Sequence, residues 1–276
     1  MQTLEIEPLA PALGARLHGI DVNHLDDDAL AAVHRALLDH EVIVLRAPEL
    51  TTDQQLALAH RFGDTEVHAF FPNLGPGYER VSVLDSDAGT KASMWHTDET
   101  FLDEPPMGTV LHAQIIPPVG GDTCWASQTA AYHALSVPMK RYLDGMLAEH
   151  SLSRVDLLVY QNGNADAEAT GAKFALGRSA QHPVVRTHPE TGHKALFVNP
   201  TYTRFLVGVP WDESEAVLAL LYRHQIKEEF VYHHHWQEGD LVIWDNRCTL
   251  HIALADFTGR RRMHRVSVLG DKPFTA

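Results

Sequence analysis

The chain has 276 residues, 45% of them apolar, and a formal net charge of −14. That length suits one sizeable β-rich domain with its own core. The acidic balance excludes a protein that grips nucleic acid by its phosphates, because such binding needs a basic footprint.

In chain order, Leu4 to Pro8 alternates apolar and acidic residues and reads as a short strand. Gly14 to Val22 reads as a second. Asp26 is placed to cap a helix running to about His40, with Leu30, Val33, Leu37 and Leu38 on one face. Glu41 to Arg46 is an apolar run of strand length. Thr52 is read as the cap of a helix ending near Gly63. Arg80 to Leu84 and Thr109 to Ile116 read as strands, and Pro117 to Gly121 ends the latter. Pro72 to Gly77 and Ser86 to Ser93 have loop composition. Ser127 to Met146 is helical in pattern, with Pro138 breaking or kinking it. Ser151 to Ser179 is polar and reads as a long loop or lid. Strands return at Val184–Thr187, Ala195–Val198, Phe230–His234, Asp240–Trp244 and His264–Leu269, with a helix at Glu213–His224. Helices on one side of many short strands predict a β-sandwich or barrel with helical cover.

Two cysteines, Cys124 and Cys248, give no CxxC pair and no disulfide framework, so a reducing and cytoplasmic location is expected. The N-terminus reads as free of a signal peptide. No stretch approaches about 20 apolar residues, so no membrane span is expected.

The chemistry gathers in three places. In Trp95-His96-Thr97-Asp98, residues two apart on an extended segment point the same way, so His96 and Asp98 can reach one point. Alone this is weak, because the chain has 19 histidines. Next, the strand through Trp244 runs into a turn and presents His251. Two imidazoles and one carboxylate with open positions mark non-heme Fe(II) oxygenases, although zinc also takes such ligands. Finally, Arg261 and Arg265 lie four apart and share a strand face. Two guanidiniums beside a metal make seats for carboxylates or other anions. A basic, solvated strand end is the bland reading of the same pair. The run His233-His234-His235 alternates faces on a strand and cannot converge on one ion. Trp95, Trp125, Trp236 and Trp244 read as core, and Cys124 as a small buried residue.

With these residues in view, the chain resembles the TauD/TfdA family, and its taurine dioxygenase branch most of all. The blocks that carry the resemblance are WHTDETF (95–101), GGDTCWAS (120–127), HPVVRTHPETG (182–192), KALFVN (194–199), WDNRCTLH (244–251) and RRMHR with LGDKPF (261–274), spread over almost the whole length. The resemblance implies a single domain over 1–276, mainly β with flanking helices around a double-stranded β-helix (jelly-roll, cupin-like) core, with a lid or loop insertion around 151–180. It implies His96, Asp98 and His251 as ligands of Fe(II), and 2-oxoglutarate and O2 as cosubstrates. Thr123 and Arg261 would hold the 2-oxoglutarate carboxylate, with Arg262 the alternative reached by counting forward from His251. Arg265 would bind the substrate anion, and His68 and Tyr202 would border the pocket. Asn73 stands where a substrate-binding histidine is expected, and Ala92 where a pocket asparagine is expected.

The implied reaction is hydroxylation of a carbon next to the heteroatom group of a small anion. Taurine or a related sulfonate would release sulfite and an aldehyde. An alkyl sulfate or an aryloxyalkanoate is the second expectation, favoured by Asn73 and Ala92. A non-catalytic metal-binding barrel or a zinc enzyme is the third, and it has no use for Arg261 and Thr123. Assembly as a homodimer or tetramer is what the family implies; neither nucleic acid nor membrane is an expected partner.

Overall fold

The computed structural model describes residues 4–68, 71–88, 94–152 and 177–276. Its strands are β1 (Glu5–Pro8), β2 (Ala15–His18), β3 (Val42–Arg46), β4 (Ser82–Asp85), β5 (Gly108–Ile115), β6 (Thr123–Ser127), β7 (Leu147–Ser151), β8 (Ser179–Pro183), β9 (Val185–Thr187), β10 (Lys194–Leu196), β11 (Thr203–Leu206), β12 (Val231–His234), β13 (Asp240–Asp245), β14 (Thr249–Ala253) and β15 (Arg262–Val268). The helices are α1 (Asp27–His40), α2 (Thr52–His60), α3 (Gln128–His133), α4 (Val137–Leu143) and α5 (Trp211–Gln225). The chain is thus mainly β with flanking helices.

Seven strands form the large sheet, in the order β1-β2-β3-β13-β5-β15-β4. Strand side chains alternate between faces, and here both faces are apolar. Ile43, Leu45, Val110, Leu241, Ile243 and Val266 join a core with Val33 and Leu37 of α1 and Leu58 of α2. Val42, Val44, Leu111, Val242, Trp244 and Met263 turn the other way, into a core with Trp125 and Tyr232. Those two belong to the small sheet β12-β6-β14. The result is a sheet packed on a sheet, with α1 and α2 covering the outer face of the larger one. A third core joins α3, α4 and α5 to β7, β9, β10 and β11, around Leu143, Val185, Leu196, Leu206 and Leu221.

Local chemistry sets the helix ends. Asp26 accepts a hydrogen bond from Ala29 N at 2.8 Å and caps α1 as its sequence suggests. The cap of α2 is Thr51, one residue earlier than expected, because Gln54 completes a capping box with it. The helix expected over Ser127–Met146 is two helices. Ser136 caps α4 and Pro138 sits in its first turn, where a missing N–H costs nothing. Strands β6, β7, β8 and β11 were not legible as strands: each is four or five residues long and their sequences mix polar and apolar residues without clean alternation. The segment read as a lid over 151–180 lies largely outside the described residues. Its two ends are strand, since Ser151 pairs with Ser179 at the foot of β7 and β8. No helix among the described residues is long and apolar enough to cross a membrane.

Candidate active site

His96 and His251 form an isolated β-bridge, with His96 N donating to His251 O at 3.0 Å and His251 N to His96 O at 2.8 Å. This pairs the His96 segment with the edge of β14, and Thr97 Oγ1 donates to Thr249 O at 2.7 Å beside it. After His96 the chain does not stay extended. It turns, and Glu99 adopts a left-handed φ of 47°. The turn still delivers Asp98 to the two imidazoles: its Oδ1 lies 3.6 Å from His96 Nε2 and 3.6 Å from His251 Nε2. All three residues are buried, and one donor atom of each falls within 4.8 Å of the others.

Neighbouring groups decide which atoms face this point. His96 Nδ1 lies 2.8 Å from Met94 O. A carbonyl only accepts, so the ring proton sits on Nδ1 and Nε2 presents its lone pair on the side of Asp98. Asp98 Oδ2 accepts from Asn246 Nδ2 at 3.1 Å and from Thr109 Oγ1 at 3.4 Å, and pairs with Arg265 Nη2 at 2.8 Å. Its Oδ1 alone remains for an ion. Burial works to raise the Asp98 carboxyl, but Arg265 and the two imidazoles outweigh it and hold it well below the usual carboxylate range. Burial, helped by His96, pushes the His251 imidazole down to about 3. The set is one carboxylate and two imidazoles, and the deprotonated carboxylate and the neutral His251 ring are in the form in which such groups bind metal.

A second group, His188, Asp245 and Cys248, also brings donor atoms within 4.8 Å. It is a different kind of object. His188 Nδ1 accepts from the Glu190 and Thr191 backbone N–H groups at 3.2 and 3.1 Å, so Nε2 carries the proton and donates to Asp245 Oδ2 at 3.0 Å. Asp245 also takes Nε and Nη2 of Arg247, at 2.9 and 2.6 Å. Burial pushes the Cys248 thiol well up. Every lone pair that a metal would need is already used or protonated, so this is a buried ion pair that fixes the turn before β14.

The arginines divide as the strand face predicts. Arg261 is buried; its Nε donates to Gly121 O at 2.9 Å and its Nη2 to Thr123 Oγ1 at 3.2 Å. It has no ion pair among the described residues, and burial pushes it down to about 10 against a partial offset from Asp122. Arg262 is only half-buried and turns the other way, with Nη1 4.0 Å from Asp85. Arg265 is buried over the ring of Phe71, with its guanidinium carbon 5.7 Å from the ring centre, and its Nε has no hydrogen-bond partner among the described residues.

The remaining expected residues separate. His68 is buried, 3.8 Å from Glu99 Oε1 and 4.6 Å ring to ring from Phe71. Burial and the nearby Arg265 charge push it down to about 3, so it is neutral. Tyr202 is buried edge-on to His96 and Phe101, at 6.4 and 5.3 Å. Asn73 is not brought into this cluster. It is exposed, and its Oδ1 accepts from Gly75 N at 3.0 Å, so its side chain shapes a surface turn. Ala92 lies outside the described residues. Trp95 is half-buried, not core. Sequence reasoning missed Asn246, Thr109, Phe71 and Glu99. Asn246 and Glu99 stand inside blocks that carry the resemblance; nothing in the sequence marks Thr109 or Phe71.

Comparison with known proteins fits this geometry. A family model, "Taurine catabolism dioxygenase TauD, TfdA family", matches residues 5–267. The chain belongs to the TauD/TfdA family. It is 34% identical to an alkylsulfatase of Acinetobacter baylyi, over 98% of this chain and 86% of that protein. It is 35% identical to an (S)-phenoxypropionate/alpha-ketoglutarate-dioxygenase of Sphingobium herbicidovorans, over 97% of this chain and 95% of that one. The crystal structure of a taurine dioxygenase from Burkholderia xenovorans superposes with a TM-score of 0.85 at 32% identity, covering 99% of this chain and 91% of the other.

Proposed function

We propose that this TauD/TfdA protein is an Fe(II)- and 2-oxoglutarate-dependent dioxygenase that hydroxylates the carbon next to the heteroatom group of a small organic anion. One observation carries the reading: a buried cluster of two histidines and one carboxylate shares a strand pair with Thr123, which holds a buried guanidinium, Arg261, that has no ion pair among the described residues. The relatives named above act on sulfate esters and phenoxypropionate, and the solved neighbour on taurine.

His96 Nε2, Asp98 Oδ1 and His251 Nε2 would hold the iron. When bound, the iron with 2-oxoglutarate and O2 supplies one oxygen atom for a C–H bond, leaving succinate and CO2. The protein's part is position and charge. Asn246, Thr109 and Arg265 keep Asp98 Oδ2 occupied, which holds the carboxylate to one ligand atom. Thr123 sits opposite Ala253, two residues along the paired strands from His251, which is opposite Trp125. Two strand residues span roughly 7 Å, so a five-carbon diacid can reach from the triad to Thr123 and Arg261. Arg265 would seat the substrate anion by its free Nε edge, over Phe71 and beside the neutral His68 and Tyr202. Hydroxylating a carbon that bears a sulfonate gives an adduct that collapses to an aldehyde and sulfite. A sulfate ester releases sulfate, and an aryl ether a phenol, in the same way.

We further read the two facing sheets as a double-stranded β-helix, the chain as one domain over 1–276, and its setting as cytoplasmic, in keeping with two buried free cysteines. The substrate class is tested by incubating the Fe(II)-loaded protein with taurine, longer sulfonates, alkyl sulfates and aryloxypropionates. Sulfite, sulfate or phenol release names the class. Arg265→Ala should lose that release while still binding 2-oxoglutarate; a variant that keeps full activity would remove Arg265 from the substrate seat.

A further inference from the structure

Thr123 receives two hydrogen bonds on one oxygen. Arg261 Nη2 donates to its Oγ1 at 3.2 Å, and Trp236 Nε1 donates to the same atom at 2.9 Å. A threonine hydroxyl has two lone pairs and one proton. With both lone pairs taken, the proton must point away from the indole and the guanidinium, and among the described residues it has no acceptor. The indole ring also lies beside the guanidinium it shares Thr123 with, its centre 5.8 Å from the Arg261 carbon. Trp236 is itself held. It is buried, and His234 packs against it at 90° and 4.5 Å between ring centres. His234 is fixed in turn by Tyr232 OH at 2.8 Å and Asp240 Oδ2 at 3.1 Å. The pairing of His234 with Thr123 across β12 and β6 puts the indole within reach.

We propose that Trp236 is a positioning residue for the cosubstrate: with Arg261 it fills the acceptor capacity of Thr123, so that the Thr123 hydroxyl can only donate, and it donates to the distal carboxylate of 2-oxoglutarate. The proposal rests on the assignment of Thr123 and Arg261 to that carboxylate. It makes Trp236 act through Thr123, without touching the cosubstrate itself. A merely structural tryptophan would affect every ligand alike. One that orients the Thr123 proton affects only ligands that carry a second carboxylate.

The test is calorimetric titration of Mn(II)-loaded protein with 2-oxoglutarate and with pyruvate, which has the same 2-oxo acid end and no distal carboxylate. Trp236→Phe keeps an aromatic ring in the site and removes the N–H together with the five-membered ring that carries it, a loss of packing that acts on both ligands alike. The variant should weaken 2-oxoglutarate about fivefold to tenfold, the worth of one neutral hydrogen bond, and pyruvate less than about twofold. In a Thr123→Val background the same substitution should cost nothing more. Equal weakening of both ligands, no weakening of either, or losses that multiply in the double variant would overturn the proposal. Failure of the unmodified protein to bind 2-oxoglutarate would instead overturn the carboxylate assignment, and Trp236 with it. Should the Phe variant not fold, the indole N–H resonance of the unmodified protein decides. It should move on adding 2-oxoglutarate and not on adding pyruvate, and an unmoved resonance with bound 2-oxoglutarate contradicts the role.

Discussion

A carboxylate that serves a metal through one oxygen needs its other oxygen occupied, and Asp98 Oδ2 has Asn246, Thr109 and Arg265 around it. Removing one of these frees the carboxylate to rotate. Asn246→Ala should therefore lower Mn(II) affinity on the order of 10- to 100-fold, the usual cost of losing such a partner, while the fold survives; titration with Mn(II) checks it, and unchanged affinity would show that Arg265 and Thr109 suffice. At this scale the sequence was informative where chemistry is compressed into a few adjacent residues. His96 and Asp98 are two apart, and Arg261 and Arg265 share a strand face. It was silent where the partner lies far along the chain. Asn246 meets Asp98 across 148 positions and Trp236 meets Thr123 across 113. Asn73 misled for a local reason: its position can be matched from sequence, yet its side chain is exposed and bonds to Gly75 two residues on.

Elements place these residues through register. β13 runs between β3 and β5 in the large sheet, and the turn after it is stitched by the Asp245–Arg247 pair before β14 presents His251. The sheet allows no side chain at Gly108, where a Cβ would sit 2.5 Å from Trp244 O. Gly108→Ala should force β5 and β13 apart and destabilise by about 1–3 kcal/mol, the typical cost of overpacking; chemical denaturation measures it, and a loss under about 0.5 kcal/mol would mean the sheet yields without strain. The strands β3 and β13 were legible because both faces are buried and the sequence reads as a near-continuous apolar run. β6 was not, although it is fully buried. Its Thr123-Cys124-Trp125-Ala126-Ser127 mixes small polar residues with one large ring, and it runs straight into α3 through Ser127, which caps that helix. The break between α3 and α4 was half legible: Pro138 signalled a disruption, and its place in the first turn of α4 became clear only with the Ser136 cap.

The molecule as a whole buries carboxyl groups in two states, one ionised and one protonated, and the two respond oppositely to pH. Burial works against the Asp245 carboxylate, but Arg247 and His188 outweigh it and hold its pKa below the ordinary 3.8, so its contribution is present above that value and is lost as pH falls through the folded-state pKa. Glu41 is the reverse. It is buried beside Ser127 Oγ, which donates to it at 2.9 Å, and burial pushes its carboxyl from 4.5 up to about 8. Its protonated form favours the fold, so that contribution is fully present below about pH 4.5 and is lost progressively up to about pH 8. Over that window the loss is on the order of 5 kcal/mol. Glu41→Gln should flatten the fall of stability between pH 5 and pH 8, as checked by denaturation at each pH; an unchanged slope would show that Glu41 is not the group responsible. All of this scaffolding serves one claim, that a two-histidine, one-carboxylate centre turns over 2-oxoglutarate. The direct test is succinate formation by Fe(II)-loaded protein given 2-oxoglutarate, O2 and the panel of sulfonates, sulfate esters and aryloxyalkanoates, with His96→Ala alongside. The account predicts succinate in step with one class of anion and none from the variant; no succinate with any of them, and no binding of 2-oxoglutarate to the metal-loaded protein, would contradict it.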